Sequence, residues 1–96
     1  MNYSEEITLF ERDNSESRFF CLARVHERNV SVELDHGVLE TREEIEVHIR
    51  TITPLEGNYN NGRVIWNNKN YEITTIERSK FSQETKITAL ETKDGT

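Results

Sequence analysis

Apolar and polar side chains alternate with a period of two along much of the chain. The alternating stretches are 30–34, 45–50, 71–76 and 85–90. Successive side chains of a β-strand point to opposite faces, so this alternation is typical of strands with one buried face. β-branched residues are frequent in the same stretches and favour the pleated conformation. The chain is therefore predicted to be all-β.

Turn-forming residues separate the alternating stretches and set the predicted strand boundaries. We predict strands near 6–12, 18–27, 29–34, 44–52, 63–67, 70–78 and 84–91, with the second and third able to form one long bent strand. Short strands with short connections are typical of an antiparallel barrel or sandwich, here of about six to seven strands. We expect a single domain over residues 1–96, with flexible tails at both ends.

Residues 35–44, with the sequence DHGVLETREE, interrupt this regular pattern. The segment is longer than a hairpin connection needs, and it carries Val38 and Leu39 among charged residues. Thr41 is followed three residues later by Glu44, which matches a capping box, so at most one short helical turn is predicted here. A connecting loop of this kind often carries function. A solvated connection without a role is the alternative.

The composition restricts the classes of partner. Hydrophobic residues make up 33% of the 96 residues, charged residues 31%, and the net charge is −6. Such a low apolar fraction fits either a sheet with one buried face or a subunit that completes its burial against copies of itself or a partner. The Lys and Arg residues are scattered, whereas binding to phosphates or anionic membranes needs clustered positive charge.

Few residues are candidates for chemistry. Cys21 stands alone, so it cannot form an internal disulfide, and its apolar surroundings indicate a small buried hydrophobe in a reducing compartment. His26, His36 and His48 are too widely spaced to indicate a metal site, and no Gly-rich phosphate loop occurs. We therefore expect no enzyme activity and no cofactor. The absence of a recognisable signal peptide predicts a cytoplasmic setting.

The stretch VIWNNKNYEI raises the question of a ligand site, because Trp66 and Tyr71 lie on either side of four polar residues. A stacking platform for single-stranded nucleic acid would need a positive groove, which the acidic composition disfavours. Asn tolerates the left-handed backbone of tight turns. We therefore predict a hairpin around residues 67–70, with Trp66 and Tyr71 as a cross-strand aromatic clamp.

The stretch 62–91 resembles the closing section of bacteriophage head–tail joining proteins, also called head completion or stopper proteins. In that family a strand that begins with Arg-Val leads to a Tyr-x-Ile strand and then to a strand of alternating Thr and aliphatic residues. The corresponding residues are Arg63-Val64, Tyr71-Glu72-Ile73 and Thr85 to Leu90. The stretches 7–10, 20–25 and 45–50 are similar to earlier strands of the family.

The resemblance implies a structural virion protein that is assembled in the host cytoplasm. It implies a twelvefold homo-oligomeric ring in the neck of a tailed phage. A portal or adaptor protein would lie on the head side, and a tail terminator or tail tube protein on the other. The ring would retain or channel DNA in its lumen without sequence-specific contacts, and no membrane would be involved.

In some members of the family a loop between two barrel strands projects into the channel. The matching residues here are Asp35, His36, Gly37, Val38, Leu39, Glu40, Thr41, Arg42, Glu43 and Glu44. This segment is shorter and more acidic than the family loop. We expect it to face the channel or a partner, with Val38 and Leu39 as contact residues. Around a ring, the acids Asp35, Glu40, Glu43 and Glu44 are expected to form a negative annulus.

Two other functions remain open at this stage. One is a phage tail terminator or tail completion protein, which is also a β-rich ring subunit. The other is a monomeric OB-like or SH3-like barrel that binds a peptide or an oligonucleotide. The oligomeric state distinguishes the ring proteins from the monomeric module.

Overall fold

The computed structural model describes residues 3–12, 14–50, 59–79 and 83–92, the side chains of 14–17 excepted. The strands are β1 (Glu5–Glu11), β2 (Asn14–Glu33), β3 (Leu39–Arg50), β4 (Arg63–Trp66), β5 (Lys69–Arg78) and β6 (Glu84–Glu91). They form a closed antiparallel barrel in the order β1-β2-β3-β6-β5-β4. The prediction of a small all-β fold is confirmed, and the fold is a barrel rather than an open sandwich.

The core fills the inside of the barrel with the alternate residues of each strand. The side chains without any exposed surface include Leu9, Ala23, Ile45, Val47, Val64, Tyr71, Ile73, Ile87 and Ala89. Fully burying one of the larger aliphatic side chains stabilises the fold by about 1.5–3 kcal/mol. The alternation predicted for the last strand is confirmed, because Thr85, Ile87 and Ala89 are all buried.

A β-bulge in β5 changes the alternation predicted for 71–76. The register against β6 shifts between Ile73 and Thr75, which leaves Thr74 as an additional residue. The Thr74 hydroxyl donates a hydrogen bond to the carbonyl oxygen of Thr88 at 3.1 Å. Since one extra residue reverses the faces that follow it, Ile76 packs against the core. The pattern had placed Ile76 on the polar face.

The hairpin between β4 and β5 closes more tightly than predicted. Trp66 is paired with Lys69, so Asn67 and Asn68 alone form the turn. Their φ angles are 53° and 61°. Two successive residues with positive φ are typical of a type I′ turn, whose twist matches that of the flanking strands. The prediction of a four-residue loop over 67–70 is therefore wrong.

The strands β2 and β3 are longer than the sequence pattern indicated. The two stretches predicted at 18–27 and 29–34 belong to the single strand β2. β3 begins at Leu39 rather than near residue 44, and Thr41 lies opposite Ser31. The short helical turn that the sequence allowed at 40–44 is therefore not formed. One helical turn without an apolar face gains little, whereas pairing with β2 satisfies the same backbone groups.

Candidate functional site

The β2–β3 hairpin continues past the end of the barrel as a two-stranded extension. β2 is paired with β1 only as far as Ala23, opposite Glu5, and β3 is paired with β6 only from Glu44 onwards. Within the described residues, 28–33 therefore pair only with β3, and 39–43 pair only with β2. We call these two segments and their connecting turn the ribbon. Six residues of strand correspond to a length of about 20 Å.

The tip of the ribbon is apolar and exposed. The turn consists of Asp35, His36 and Gly37, and the Gly37 amide donates to the Leu34 carbonyl oxygen at 3.0 Å. Gly37 has a φ of 72°, as expected for the last residue of a three-residue hairpin loop. Beside the turn, Leu34, Val38 and Leu39 are 38%, 56% and 68% exposed. This cluster is called the ribbon tip below.

The predicted loop over 35–44 is therefore only in part a loop. Its first residues form the turn, and Leu39 to Glu44 are the beginning of β3. The pattern failed here because residues 39–44 are polar or charged except for Leu39. Such a sequence looks the same in a solvated loop and in a two-stranded ribbon outside the barrel core. Val38 and Leu39, expected as contact residues, are accessible to a partner.

The acidic residues predicted as a negative annulus are mostly neutralised within the chain. Glu44 forms an ion pair with Arg28. Glu40 lies 3.4 Å from the Arg42 guanidinium, and Glu43 accepts a hydrogen bond from the Lys69 ammonium at 3.0 Å. Since each of these three acids has a cation beside it, the ribbon is much less negative than its count of acidic residues indicated.

At the root of the ribbon, the end of the barrel holds a cluster of ionisable groups. We call Glu27, Glu43, Lys69 and Tyr71 the mouth cluster. A hydrogen bond with Glu43 raises the pKa of Glu27, and the same hydrogen bond lowers the pKa of Glu43, together with the nearby Lys69 ammonium. Of the two carboxyl groups, Glu27 therefore holds a proton more tightly than Glu43 does. Burial, followed by the charge of Glu43, raises the pKa of Tyr71.

Replacing Glu27 with glutamine should stabilise the protein at neutral pH. The raised pKa of Glu27 means that the folded state binds this proton more tightly than the unfolded state does. The associated stability is present at low pH and is lost as the pH rises through the raised pKa. An amide keeps the hydrogen bond to Glu43 without the charge. We expect Glu27→Gln to raise the melting temperature at pH 7 and to leave it unchanged below pH 4.

Glu33→Gln is the matched control for this measurement. Glu33 lies on the same face of β2 as Glu27, but it is exposed on the ribbon and opposite Leu39. Its substitution should change the melting temperature little at either pH. If both variants gave the same pH profile, the effect would come from net charge and not from the Glu27–Glu43 pair.

The sequence interpretation missed the mouth cluster, although one signal for it was available. Glu27 lies two residues after Val25 and four after Ala23 in β2, so it is on the same face of the strand as these two side chains, which face the barrel interior. A charged residue at such a position in a strand indicates a special environment. Lys69 could not be found in this way, because its inward orientation depends on the two-residue turn that precedes it.

The aromatic pair at the hairpin is in contact, but not as directly opposed residues. The Trp66 and Tyr71 rings have centroids 6.3 Å apart and an interplanar angle of 45°. Tyr71 lies opposite Val64, and Trp66 lies opposite Lys69. The contact is therefore diagonal across the two strands. Tyr71 is fully buried, so its ring faces cannot stack on a ligand.

The surroundings of the remaining candidate residues, Cys21 and His48, do not indicate a reactive site. Burial raises the pKa of Cys21 to about 11, so at neutral pH it is a thiol and a weak nucleophile. His48 was expected to be solvated, but its side chain is only 13% exposed and its Nδ1 lies 2.8 Å from Glu84 Oε1. Within the described residues, no group of three or more His, Cys, Asp or Glu side chains is arranged to hold a metal ion.

Comparisons with known proteins do not assign a family. No protein-family model matches the chain, and no curated protein is similar to it. In the part of the chain that the structure describes, no helix is long and apolar enough to cross a membrane.

Proposed function

We propose that this protein is a structural subunit of the head–tail connector of a tailed bacteriophage. In this proposal it is a stopper-like ring protein that joins the DNA-filled head to the tail and helps to retain or channel the DNA. It acts by assembly and not by catalysis. The observation that carries the proposal is the ribbon, which leaves a closed barrel and ends in an apolar tip.

The ribbon has features that do not stabilise the isolated domain. A closed barrel removes the unpaired strand edges of a sheet. Among the described strands, however, residues 28–33 and 39–43 each have one edge without a partner strand. A two-stranded hairpin by itself is marginally stable in water. Leu34, Val38 and Leu39 contribute nothing to the barrel core and gain burial only against another molecule. These features favour a subunit that completes the ribbon by assembly.

The position of the ribbon also fits the proposal. It arises from the chain segment that matches the channel loop in the resemblance described above. A ribbon about 20 Å long can reach from a barrel in a ring wall towards the ring axis. The overall charge of −6 suits a DNA channel, because like charge keeps the duplex from adhering to the wall.

Shortening the ribbon tests the proposal directly. Asn29 and Glu43 lie opposite each other, so residues 30–42 can be replaced by an Asn-Gly turn that joins them. We expect the truncated protein to keep its β circular dichroism and a cooperative unfolding transition. It should fail to form rings on portal–adaptor complexes in electron micrographs, and phage particles built with it should lose DNA or lack tails.

Two substitutions refine this experiment. Leu39→Ser removes the most exposed apolar group of the ribbon tip and should weaken ring assembly without shortening the ribbon. Phe20→Ser is the matched control, since Phe20 is 70% exposed but lies on the barrel. Normal rings and infectious particles from the truncated protein would show that the ribbon does not serve this function.

A tail terminator or tail completion role is the alternative within the same class. Assembly on isolated tail tubes, and not on portal–adaptor complexes, distinguishes it. A monomeric binding module is the alternative from another class, and an open cleft of about 1020 Å³ near Phe20 and Trp66 favours it. Glu5, Glu6 and Glu27 also line this cleft, so its ligand would be a basic peptide and not an oligonucleotide.

A further inference from the structure

The outer surfaces of β2, β1 and β4 form a continuous face on one side of the barrel. We call it the β1 face. The strand register places its outward residues in three rows across the strands. The rows are Arg18–Phe10–Arg63, Phe20–Thr8–Ile65 and Leu22–Glu6.

The β1 face changes character from one end to the other. Its first row is basic at the surface, because Phe10 is only 8% exposed beneath the Arg63 guanidinium, which lies 5.0 Å from the ring centroid. The middle row is apolar around Phe20, which is 70% exposed. The other end is acidic at Glu6, where the open cleft begins.

The charged groups at the two ends of the face are not neutralised by other described residues. Arg18 and Glu6 have no ion pair there, and four residues of strand separate their rows, which corresponds to about 13 Å. They are therefore too far apart to neutralise each other. Each end of the face is available to a group of opposite charge on another molecule.

The outer face on the other side of the barrel is different, because its charges neutralise one another. Glu84 lies 3.5 Å from the Arg24 guanidinium and 2.8 Å from His48 Nδ1. The Lys86 ammonium lies 3.5 Å from Glu77 and 3.8 Å from Glu46. That surface needs no partner to satisfy its charged groups. The β1 face is therefore the better candidate for a contact with another molecule.

We propose that the β1 face binds the β1 face of a second copy of this chain in an antiparallel, twofold-symmetric contact. The twofold axis lies along the row Phe20–Thr8–Ile65. Phe20 then packs against the second copy's Phe20. The acidic end of each copy lies over the basic end of the other. Glu6 then lies between the second copy's Arg18 and Arg63.

The geometry of the sheet supports this pairing. Neighbouring strands are about 4.8 Å apart, so Arg18 and Arg63, on the strands that flank β1, are both within reach of a carboxylate over the β1 position. A parallel arrangement would instead bring like charges together at both ends, which disfavours it. A single face that carries both complementary halves is what an isologous contact requires.

This inference is independent of the proposed function. A twofold contact between barrels exists in the free protein at sufficient concentration, whereas the ribbon acts on an assembled connector. The cleft that favours a peptide-binding module is covered in the dimer by the second copy's basic end.

Sedimentation equilibrium on the whole chain tests the proposal. We expect a monomer–dimer equilibrium that weakens as salt is raised. Phe20→Ser should raise the dimer dissociation constant at least about tenfold, because it removes the centre of the contact. Leu39→Ser is the matched control, with a similar exposed fraction of 68% on the ribbon tip, and should leave the dissociation constant unchanged.

Charge exchange tests the antiparallel arrangement. Glu6→Arg and Arg18→Glu should each weaken the dimer, because each places like charges across the contact. An equimolar mixture of the two variants should form heterodimers more tightly than either variant forms homodimers, since both ends of the contact are then complementary. Both variants change exposed residues, so their folding is unaffected, and circular dichroism verifies this.

Three outcomes would overturn the proposal. A wild-type protein that stays monomeric at millimolar concentration has no such contact, and binding of a basic peptide to that monomer would assign the cleft to another partner. A dimer that Leu39→Ser disrupts and Phe20→Ser does not uses the ribbon tip instead. A mixture of charge variants without preferential heterodimers excludes the antiparallel arrangement. Rings could still form in each case, so the proposed function is judged separately.

Discussion

Replacing Gly62 with alanine should lower the free energy of unfolding by about 3 kcal/mol. A Cβ atom on Gly62 would overlap the carbonyl oxygen of Phe10 and come within 3.0 Å of the carbonyl oxygen of Tyr59. Both are backbone atoms, so neither can move away by rotating a side chain. The Gly62 amide also donates to Tyr59, and its carbonyl oxygen accepts from the Ile73 amide at 2.9 Å. Urea denaturation monitored by circular dichroism measures the loss.

Gly37→Ala is the control for this experiment. Gly37 has a φ of 72°, but a Cβ there would meet no atom within 4 Å. Its substitution therefore costs only the strain of a left-handed backbone, about 1–2 kcal/mol. A similar loss for both variants would mean that crowding against Phe10 is not what makes Gly62 necessary.

The second large effect is expected from a pair of identical substitutions in the barrel and in the ribbon. Val47 is fully buried in the core, so Val47→Ala should cost about 2–3 kcal/mol through lost burial and the cavity left behind. Val30 is half-buried and lies on the ribbon opposite Arg42. Val30→Ala should cost less than about 1 kcal/mol. Equilibrium urea unfolding at pH 7 compares the two directly.

The ratio of the two losses indicates where the stability of the chain resides. A large loss for Val47→Ala alone means that the barrel unfolds as a unit to which the ribbon adds little. Equal losses would mean that the ribbon belongs to the cooperative unit, and the ribbon truncation would then be unsuitable as a test of function. Both substitutions remove the same two methyl groups, so the two losses of stability can be compared without a correction for side-chain type.

The strands of the barrel could be predicted because burial on one face leaves a period of two in the sequence. The stretch 85–90 shows this most clearly, with alternate residues buried as expected. The same rule failed at Thr74, where an inserted residue is invisible in the pattern but reverses the faces that follow. It also failed at 39–44, because most of these residues lie in the ribbon, outside the barrel core, and their sequence contains no alternating apolar residues.

The candidate sites were harder to predict because they depend on register. Glu27 and Glu43 are 16 positions apart in the sequence. They meet only because the turn at Gly37 fixes the register in which β2 and β3 pair. Arg18, Glu6 and Arg63 share a face only because β1 pairs with β2 on one side and with β4 on the other. No local pattern contains this information. That one of Phe19 and Phe20 faces outward, by contrast, follows from their adjacency in a strand.

The closure of the barrel has a consequence for the order in which the chain folds. β1 and β4 pair only over Ile7 to Phe10, and this short seam joins segments from opposite halves of the sequence. Hairpins such as β2–β3 and β4–β5 are local and form early, whereas a long-range pairing must first overcome the entropy of closing a large loop. The seam is therefore the last part of the barrel to form. In hydrogen exchange, the amides of β4 should report the lowest-energy opening of the closed barrel.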